Sequence, residues 1–533
     1  MPVKTTPSQS EPTEHDEVSL DQLKAIIERA RQEPLNEQDC QLLLSVSETL
    51  GYLTEQLAHK QVSIARLRKL LFGASTETLK NLESKQDQDK PDEQSSQDKK
   101  PAEPKPGHGR HGAKDYTGAK KVNIPHQHLK PGDPCPHCLK GTLYRMTEPS
   151  HIVRVTGQAP LQATVYELEK LRCGLCDTIF TAEAPKDIGP EKYDPQSISM
   201  IALLKYGSGM PFNRLDRLEA TLGIPLSAST QWDVLSQREQ AFTPVHQALI
   251  QAAAQGKIVH NDDTTMKILN LETGPRKGVF TSGIVSVDDD HLAALFFTGH
   301  QHAGENLADV LKHRAAESQV PIQMSDGASR NLPGAFETVV AHCLAHGRRK
   351  FVDLYAAFEP ECHHVLEVLA QVYQIDSETQ GLGESERLAY HQQHSGPLMA
   401  ELKDWMSQQL DERLVEPNSG LGEAIRYMIK HWEPLTLFLR QGNAPLDNNL
   451  CERALKKAIL HRKNAYYYKT ANGARVGDLF MSLIHTCELN EINPFDYLTA
   501  LQKHAKSVAS NPNAWLPWNY QQSLSDLALT DNP

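Results

Sequence analysis

The 533-residue chain contains no run of about 18 apolar residues, so no segment is long enough to span a bilayer as a helix. Its opening stretch, MPVKTTPSQSEPTEHDEVSL, lacks the apolar core of a secretory leader, and a cytoplasmic location is expected. Positive charge is in deficit: 55 Lys and Arg stand against 67 Asp and Glu, a formal net charge of -12. Taken whole, that balance argues against a nucleic-acid binder, which usually carries a basic footprint. A disulfide framework is also missing. Nine cysteines is an odd count, and four of them fall in two close pairs, which points to metal chemistry in a reducing compartment.

What is present is unevenly distributed. Residues 1–50 carry a net charge of -6 and residues 351–420 one of -10, whereas 101–130 carry +4 and 451–470 carry +5. Whole-chain charge governs solubility and says little about one surface, so a nucleic-acid partner is not excluded by it. The length suits several domains, each of roughly 100–200 residues.

Residues 1–19 are polar and read as a disordered tail. From Leu20 to about residue 80 the pattern is helical, with Leu43, Leu50, Leu57, Ile64 and Leu71 recurring every seven residues. Val46, Leu53 and Leu67 fall on the companion positions, and Lys60 is the one polar break. That repeat predicts a leucine-zipper-like coiled coil, the alternative being an amphipathic helix packed on its own domain. The helix ends in Arg66, Arg68, Lys69 and the run LLFG, after which residues 81–120 read as a flexible linker rich in Pro, Gln and charge, a basic linker over its last twenty residues.

Residues 121–185 hold Cys135-Pro-His-Cys138 and Cys173-Gly-Leu-Cys176. Each C-x2-C turn supplies two thiolates on one bend, and a tetrahedral zinc needs four such ligands. One structural Zn2+ on these four cysteines is predicted, with His137 a bystander and the runs HIVRV and ATVYELE as ribbon between the knuckles. Residues 186–250 read as helices. Within them PFNRLDRLEATLGIPLSASTQWDVL gives helix, turn at Gly223–Pro225, and a new helix capped by Ser227 or Ser229, a candidate helix-turn-helix.

Between 256 and 342 the character changes. GKIVHND, KGVFTSGIVSV, AALFF, PIQMSD and ETVVAH are short β-branched or aromatic runs, read as five strands, with a helix near ENLADVLKHR between the third and fourth. Asp288 to Asp290 mark a hairpin turn. Two strands end in carboxylates, Asp262 and Asp326, and Glu452 opens a helix in the phrase Leu446-Asp447-Asn448-Asn449-Leu450-Cys451-Glu452-Arg453. Strand C-termini are where open α/β sheets present ligand sites. If the three carboxylates converge they would bind two Mg2+ ions, which want oxygen ligands and assist phosphoryl displacement. For each aspartate alone, a turn or a helix cap is the plainer reading.

The phrases HNDDTTMKIL, QMSDGASRN, HCLAHGRRKF and LDNNLCERALKKAILHRKNAYYY resemble signatures of the insertion sequence 66 family of bacterial DDE transposases. The order of parts matches over roughly residues 45–515. The resemblance implies a multidomain α/β protein. Its ribonuclease-H-like catalytic domain would span residues 251–490, with a helical insertion at about 350–445 and a tail over 491–533. It places the catalytic, Mg2+-binding triad on Asp262, Asp326 and Glu452, two ions with Mn2+ as a substitute, and leaves Asp263 as the alternative first ligand. Two departures stand out: Lys456-Lys457 replaces the usual Arg-Pro, and Leu344 stands where an aromatic is expected. Arg453, Lys456, Lys457, Arg462 and Lys463, followed by Tyr466 to Tyr468, are expected to contact DNA, unless they form a solvated face over a buried tyrosine strand. His342, Cys343 and His346 lie near a strand end without an evident fourth metal ligand, and His346 is expected beside the active site.

Together these features imply a transposase that binds double-stranded element ends and target DNA as a homodimer or larger assembly, with accessory element-encoded proteins as further partners. The rival readings are a non-catalytic zinc-containing regulator descended from a transposase, and a ribonuclease-H-like nuclease without strand transfer.

Overall fold

A computed structural model describes residues 191–271, 276–289 and 291–530, and before them Ile26, Asp39, Lys114, 121–124, 128–138, 140–146, 159–172, 179–185 and Gly189. The chain divides into two compact units, 1–90 and 91–533. The heptad repeat, most of the linker, HIVRV, Cys173 and Cys176 lie outside the described residues. Among those described, no helix is long and apolar enough to cross a membrane.

The first described part of the larger unit is a cysteine knuckle. Gly132 N–H donates to Leu143 O (2.8 Å), Leu143 N–H to Asp133 O (2.8 Å) and Cys135 N–H to Gly141 O (2.7 Å), folding the chain back around Cys135 and Cys138. A two-stranded antiparallel ribbon follows, β1 (Lys170–Arg172) with β2 (Ile179–Thr181), its ends bracketing the second cysteine pair. The preceding ATVYELE run is irregular, which corrects the strand expected there.

Helix α1 (Pro195–Ala202) runs through a π-helical turn at Leu203–Gly207 into α2 (Phe212–Thr221) and the 26-residue α3 (Ala228–Ala253). Gly223 makes the turn between α2 and α3, and Ser227 is the cap, its hydroxyl accepting from Thr230 N (3.2 Å). Leu235, Phe242, Val245 and Leu249 form the buried stripe of α3 in the main core, where Phe242 meets Phe480 edge to face at 5.1 Å.

The strands are β3 (Ile258–Thr265), β4 (Ile268–Asn270), β5 (Phe280–Val287), β6 (Leu292–Gly299), β7 (Ile322–Ser325) and β8 (Val339–His342). Five of them, all but β4, form one mixed sheet in the order β6-β5-β3-β7-β8. β6, β5 and β3 are antiparallel neighbours, and β3, β7 and β8 run parallel. The five runs read from the sequence are therefore one sheet. The acidic turn is the β5–β6 hairpin, where Asp288 N–H meets His291 O (3.0 Å) and Lys257 pairs with Asp289 (2.5 Å). β5 is buried at six successive positions because both its faces are covered.

Helix α4 (Ala303–Leu311) links β6 to β7 and covers one face of β3 and β5. After β8 the chain is helical: α5 (Leu344–Leu354), α6 (Glu359–Glu378), α7 (Glu384–Asp411) and α8 (Gly420–Lys430). α9 (Asn449–Ala465) then returns to β3 and β5. β9 (Tyr468–Thr470) pairs with β4, and α10 (Ala471–Leu489) lies along β6.

α10 closes the sheet's outer edge. Successive helix side chains four apart advance about 6 Å, close to the advance of alternate strand residues. The outward N–H groups of Leu292, Ala294, Phe296 and Thr298 thus donate in turn to Asn490 Oδ1 (3.1 Å), Thr486 Oγ1 (3.0 Å), Ser482 Oγ (3.0 Å) and Asp478 Oδ2 (2.6 Å). Edge amides that would otherwise face solvent find their partners within the chain.

Candidate active site

Parallel pairing of β3 with β7 brings the two aspartates together. The register ends at His260↔Met324, and two residues further along each strand stand Asp262 and Asp326. Gly327 follows with φ +84°, a conformation suited to glycine, and a Cβ there would lie 3.0 Å from His342 Nδ1. Asp326 Oδ1 accepts from Ala328 N (2.9 Å) and Asn331 Nδ2 (2.7 Å). Tyr427 Oη donates to the Asp326 carbonyl at 3.3 Å.

Strand alternation separates the two adjacent aspartates. Asp262 shares a face with His260, toward α9. Asp263 turns toward α4, where His302 Nδ1 donates to its Oδ2 (2.8 Å) and Arg330 lies 3.7 Å away. Asp263 is thus a paired carboxylate. Asp262 accepts only the N–H of Asp263 at Oδ1 (2.8 Å) and has no basic side chain against it among the described residues.

Glu452 arrives on the first turn of α9. Gly283, opposite Asp262 on β5, makes the approach possible: a Cβ there would lie 3.0 Å from Leu455 Cδ2 and 3.5 Å from Cys451 Sγ. The residues before Glu452 fix where the helix starts. Leu446 O accepts from Leu344 N (2.9 Å), and Asp447 Oδ1 accepts from Asn449 N (3.0 Å). Asn448 joins three elements. Its N–H donates to Cys343 Sγ (3.2 Å), its Nδ2 to Asn261 O (3.2 Å), and its Oδ1 accepts from His260 Nδ1 (3.1 Å). Burial holds His260 down at about 4, so its imidazole is neutral near pH 7.

The carboxylates sense one another. Burial pushes Asp262 up to about 7, and the charges of Asp326, Asp263 and Glu452 add to the effect. Glu452 Oε1 is enclosed and lacks a hydrogen-bond partner; His346 Nδ1 lies 3.7 Å from it and is likewise unpartnered. A cluster of carboxylates with an orphaned oxygen and, among the described residues, no cationic side chain at its centre is suited to a divalent cation.

The basic residues divide. Arg453, Lys456 and Lys463 are exposed. Lys457 pairs with Glu488 (2.7 Å), and Arg462 donates to Thr264 Oγ1 (3.1 Å) and Thr265 Oγ1 (2.7 Å) at the end of β3. Of the tyrosine run, Tyr468 is buried on β9, whereas Tyr466 and Tyr467 are exposed. At the cysteine knuckle, N–H groups of Lys140 and Gly141 and the Cys135 side chain draw the Cys138 thiol below its ordinary value.

Sequence reasoning missed the polar frame behind the carboxylates. Gln323 Nε2 donates to Asn261 Oδ1 (2.9 Å) and Asn331 O (2.6 Å), tying β3, β7 and the loop that carries Asn331 to Asp326. Asn261 and Asn448 fall inside the motif phrases, which was the available signal.

Comparison with known proteins places residues 191–476 under the family model described as Transposase IS66 family. Three uncharacterized proteins of Sinorhizobium fredii are similar to the chain. y4hP is 26% identical over 426 residues, covering 74% of this chain and 75% of the relative. y4jD is 23% identical, covering 88% and 96%. y4qI is 25% identical, covering 61% and 62%.

Proposed function

Because the chain belongs to the IS66 family of transposases, we propose that it cuts and joins DNA at the ends of an insertion sequence, with Asp262, Asp326 and Glu452 holding two Mg2+ or Mn2+ ions. The observation that carries this reading is that Asp262, Asp326 and Glu452, from β3, β7 and α9, lie near enough for the charges of the other two to raise Asp262, with no cationic side chain at their centre among the described residues. The strand order supports a ribonuclease-H-like core. Taken in sequence order within the main sheet, the strands lie 3-2-1-4-5, with the first aspartate on the first strand and the second after the fourth. Helices α5 to α8 are then the insertion ahead of the glutamate helix.

When bound, the two ions supply charge stabilisation to the attacking and leaving oxygens of an in-line displacement. The chain's own residues provide placement. β3 and β7 present two carboxylates side by side, Asn448 fixes the start of α9, and Gly283 sets how closely Glu452 approaches. Water attacks the phosphorus at the element end, the 3′-oxygen leaves with a proton, and the resulting 3′-hydroxyl attacks a target phosphodiester, displacing its 3′-oxygen. Holding both DNAs in line contributes much of the rate.

Arg453, Lys456 and Lys463 are assigned to phosphates flanking the cut, with Tyr466 and Tyr467 beside them. Arg462 adds positive field from the end of β3, and Lys457 reaches DNA only by leaving Glu488. His346 stands beside Glu452. The α2–α3 pair is a further candidate DNA contact. Cys135, Cys138, Cys173 and Cys176 hold one structural Zn2+, supported by the folded knuckle at Cys135. The heptad region pairs two copies, as synapsis of two ends requires, and the work takes place on bacterial DNA in the cytoplasm with accessory element-encoded proteins.

The test is incubation of labelled element-end DNA with Mg2+ and either the wild-type chain or Asp326→Asn. Loss of cleavage by about three orders of magnitude is expected, the scale of removing a principal electrostatic contributor. Cleavage that survives the substitution ends the assignment of Asp326. Tight binding by the wild type without cleavage favours the regulator reading, and cleavage without joining favours the nuclease.

A further inference from the structure

Around Glu452 the chain presents a second set of donors of a softer kind. Cys343 caps α5 and His346 lies three residues on, so both side chains leave the same end of the helix on one face. Glu452 reaches the same point from α9. A sulfur from Cys343, a ring nitrogen from His346 and a carboxylate oxygen from Glu452 all lie within 4.8 Å of one another. The two enclosed atoms named above, His346 Nδ1 and Glu452 Oε1, face each other at 3.7 Å without hydrogen-bond partners. Leaving buried polar atoms unpaired is costly, so the gap between them calls for an explanation.

A tetrahedral ion with ligand bonds of about 2.0–2.3 Å spaces its donors roughly 3.3–3.7 Å apart. The His346–Glu452 separation fits that edge, and Cys343 Sγ lies within 4.8 Å of both. One sulfur, one imidazole and one carboxylate suit zinc and its softer relatives, whereas Mg2+ wants about six oxygens in an octahedron. The N–H that Asn448 already aims at Sγ favours the thiolate.

We propose that Cys343, His346 and Glu452 form a site for a zinc-like divalent cation with one open position, and that filling it draws Glu452 away from Asp262 and Asp326. Zinc would then switch the Mg2+-dependent reaction off. The binding half stands on the donor set alone; the inhibitory half rests on the function proposed above.

Cobalt(II) is the probe, because thiolate ligation gives it a near-ultraviolet charge-transfer band. It is added to the full chain and to Cys343→Ser and His346→Gln, each checked for folding by circular dichroism. The four-cysteine module contributes equally to all three, so the difference spectra isolate this site. A band of one thiolate's intensity lost in Cys343→Ser, and an altered visible band in His346→Gln, are expected. Identical spectra for wild type and both variants overturn the site. In parallel, Mn2+ bound to each chain is counted by electron paramagnetic resonance as Zn2+ is added. Displacement of Mn2+ from the variants is expected to need at least ten-fold more Zn2+ than from the wild type; equal displacement overturns the competition. A chain that shows the difference band and never cleaves DNA keeps this site and removes the transposase reading. Cleavage with identical spectra does the reverse.

Discussion

Replacing Asp478 by Asn should stabilise the protein at alkaline pH and leave it unchanged in acid. Asp478 is buried at the end of the row of side chains that seals β6, accepting from Thr298 N (2.6 Å) and Thr298 Oγ1 (2.6 Å). Burial pushes its carboxyl from 3.8 up to about 7, against the lowering effect of those two hydrogen bonds. The folded pKa is raised above the unfolded one. The stability this group contributes is therefore complete below about pH 4 and is lost as pH rises through 7. At about 1.4 kcal/mol per pH unit, a shift of some three units amounts to about 4 kcal/mol. An Asn keeps both contacts without the charge. Its carbonyl accepts from Thr298 N, and its amide donates to Thr298 Oγ1, whose own proton turns to Thr281 Oγ1 (2.8 Å). Urea unfolding of both chains at pH 4, 6 and 8, followed by circular dichroism, should give a difference near zero at pH 4. By pH 8 the difference should reach several kcal/mol in favour of the Asp478→Asn chain. A variant no more stable than wild type at pH 8 would refute the reasoning.

Asn448→Ala removes two buried side-chain hydrogen bonds and strands His260 Nδ1 and Asn261 O. A loss of about 2–5 kcal/mol in urea unfolding is expected, with an end-cleavage rate at least ten-fold down at saturating Mg2+. Gly283→Ala presses a methyl group against Leu455 and should cost about 1–3 kcal/mol. Adding Leu455→Ala to that chain should show a non-additive recovery of thermal stability. Lys456→Ala should lower the slope of log affinity against log salt for element-end DNA by about 0.9, the effect of one phosphate contact. Lys457→Ala should leave that slope alone and cost about 0.2–1 kcal/mol through the lost pair with Glu488.

The sequence pattern made the sheet legible because its five strands are β-branched or aromatic runs bounded by turns, a signal carried by each segment alone. Asp326 and the start of α9 were legible for a related reason, standing at ends of elements that the pattern delimits; Asp262 was expected at a strand end, but β3 runs on to Thr265 against β5 and only its pairing with β7 ends before Asp262. Other features depend on partners far along the chain. Asp478, Ser482, Thr486 and Asn490 recur every fourth residue, which on a helix reads as a solvated stripe; only the fold shows a strand edge against them. Asn448 read as part of a motif, but its bond to His260 spans 188 positions. ATVYELE has strand-like residues but among the described residues is paired only at its end, where Glu169 O accepts from Ala182 N (2.9 Å), and pairing decides whether such a run becomes a strand.

The sealing of β6 by α10 also restricts how copies of this chain can assemble. A strand whose outward amides are already bonded cannot accept a strand from another molecule, so a continuous sheet across a two-fold axis is excluded on that side. Copies brought together to hold two DNA ends must meet through some other surface. The strand that carries Asp262 stays two strands in from that edge, sheltered from whatever rearrangement assembly imposes.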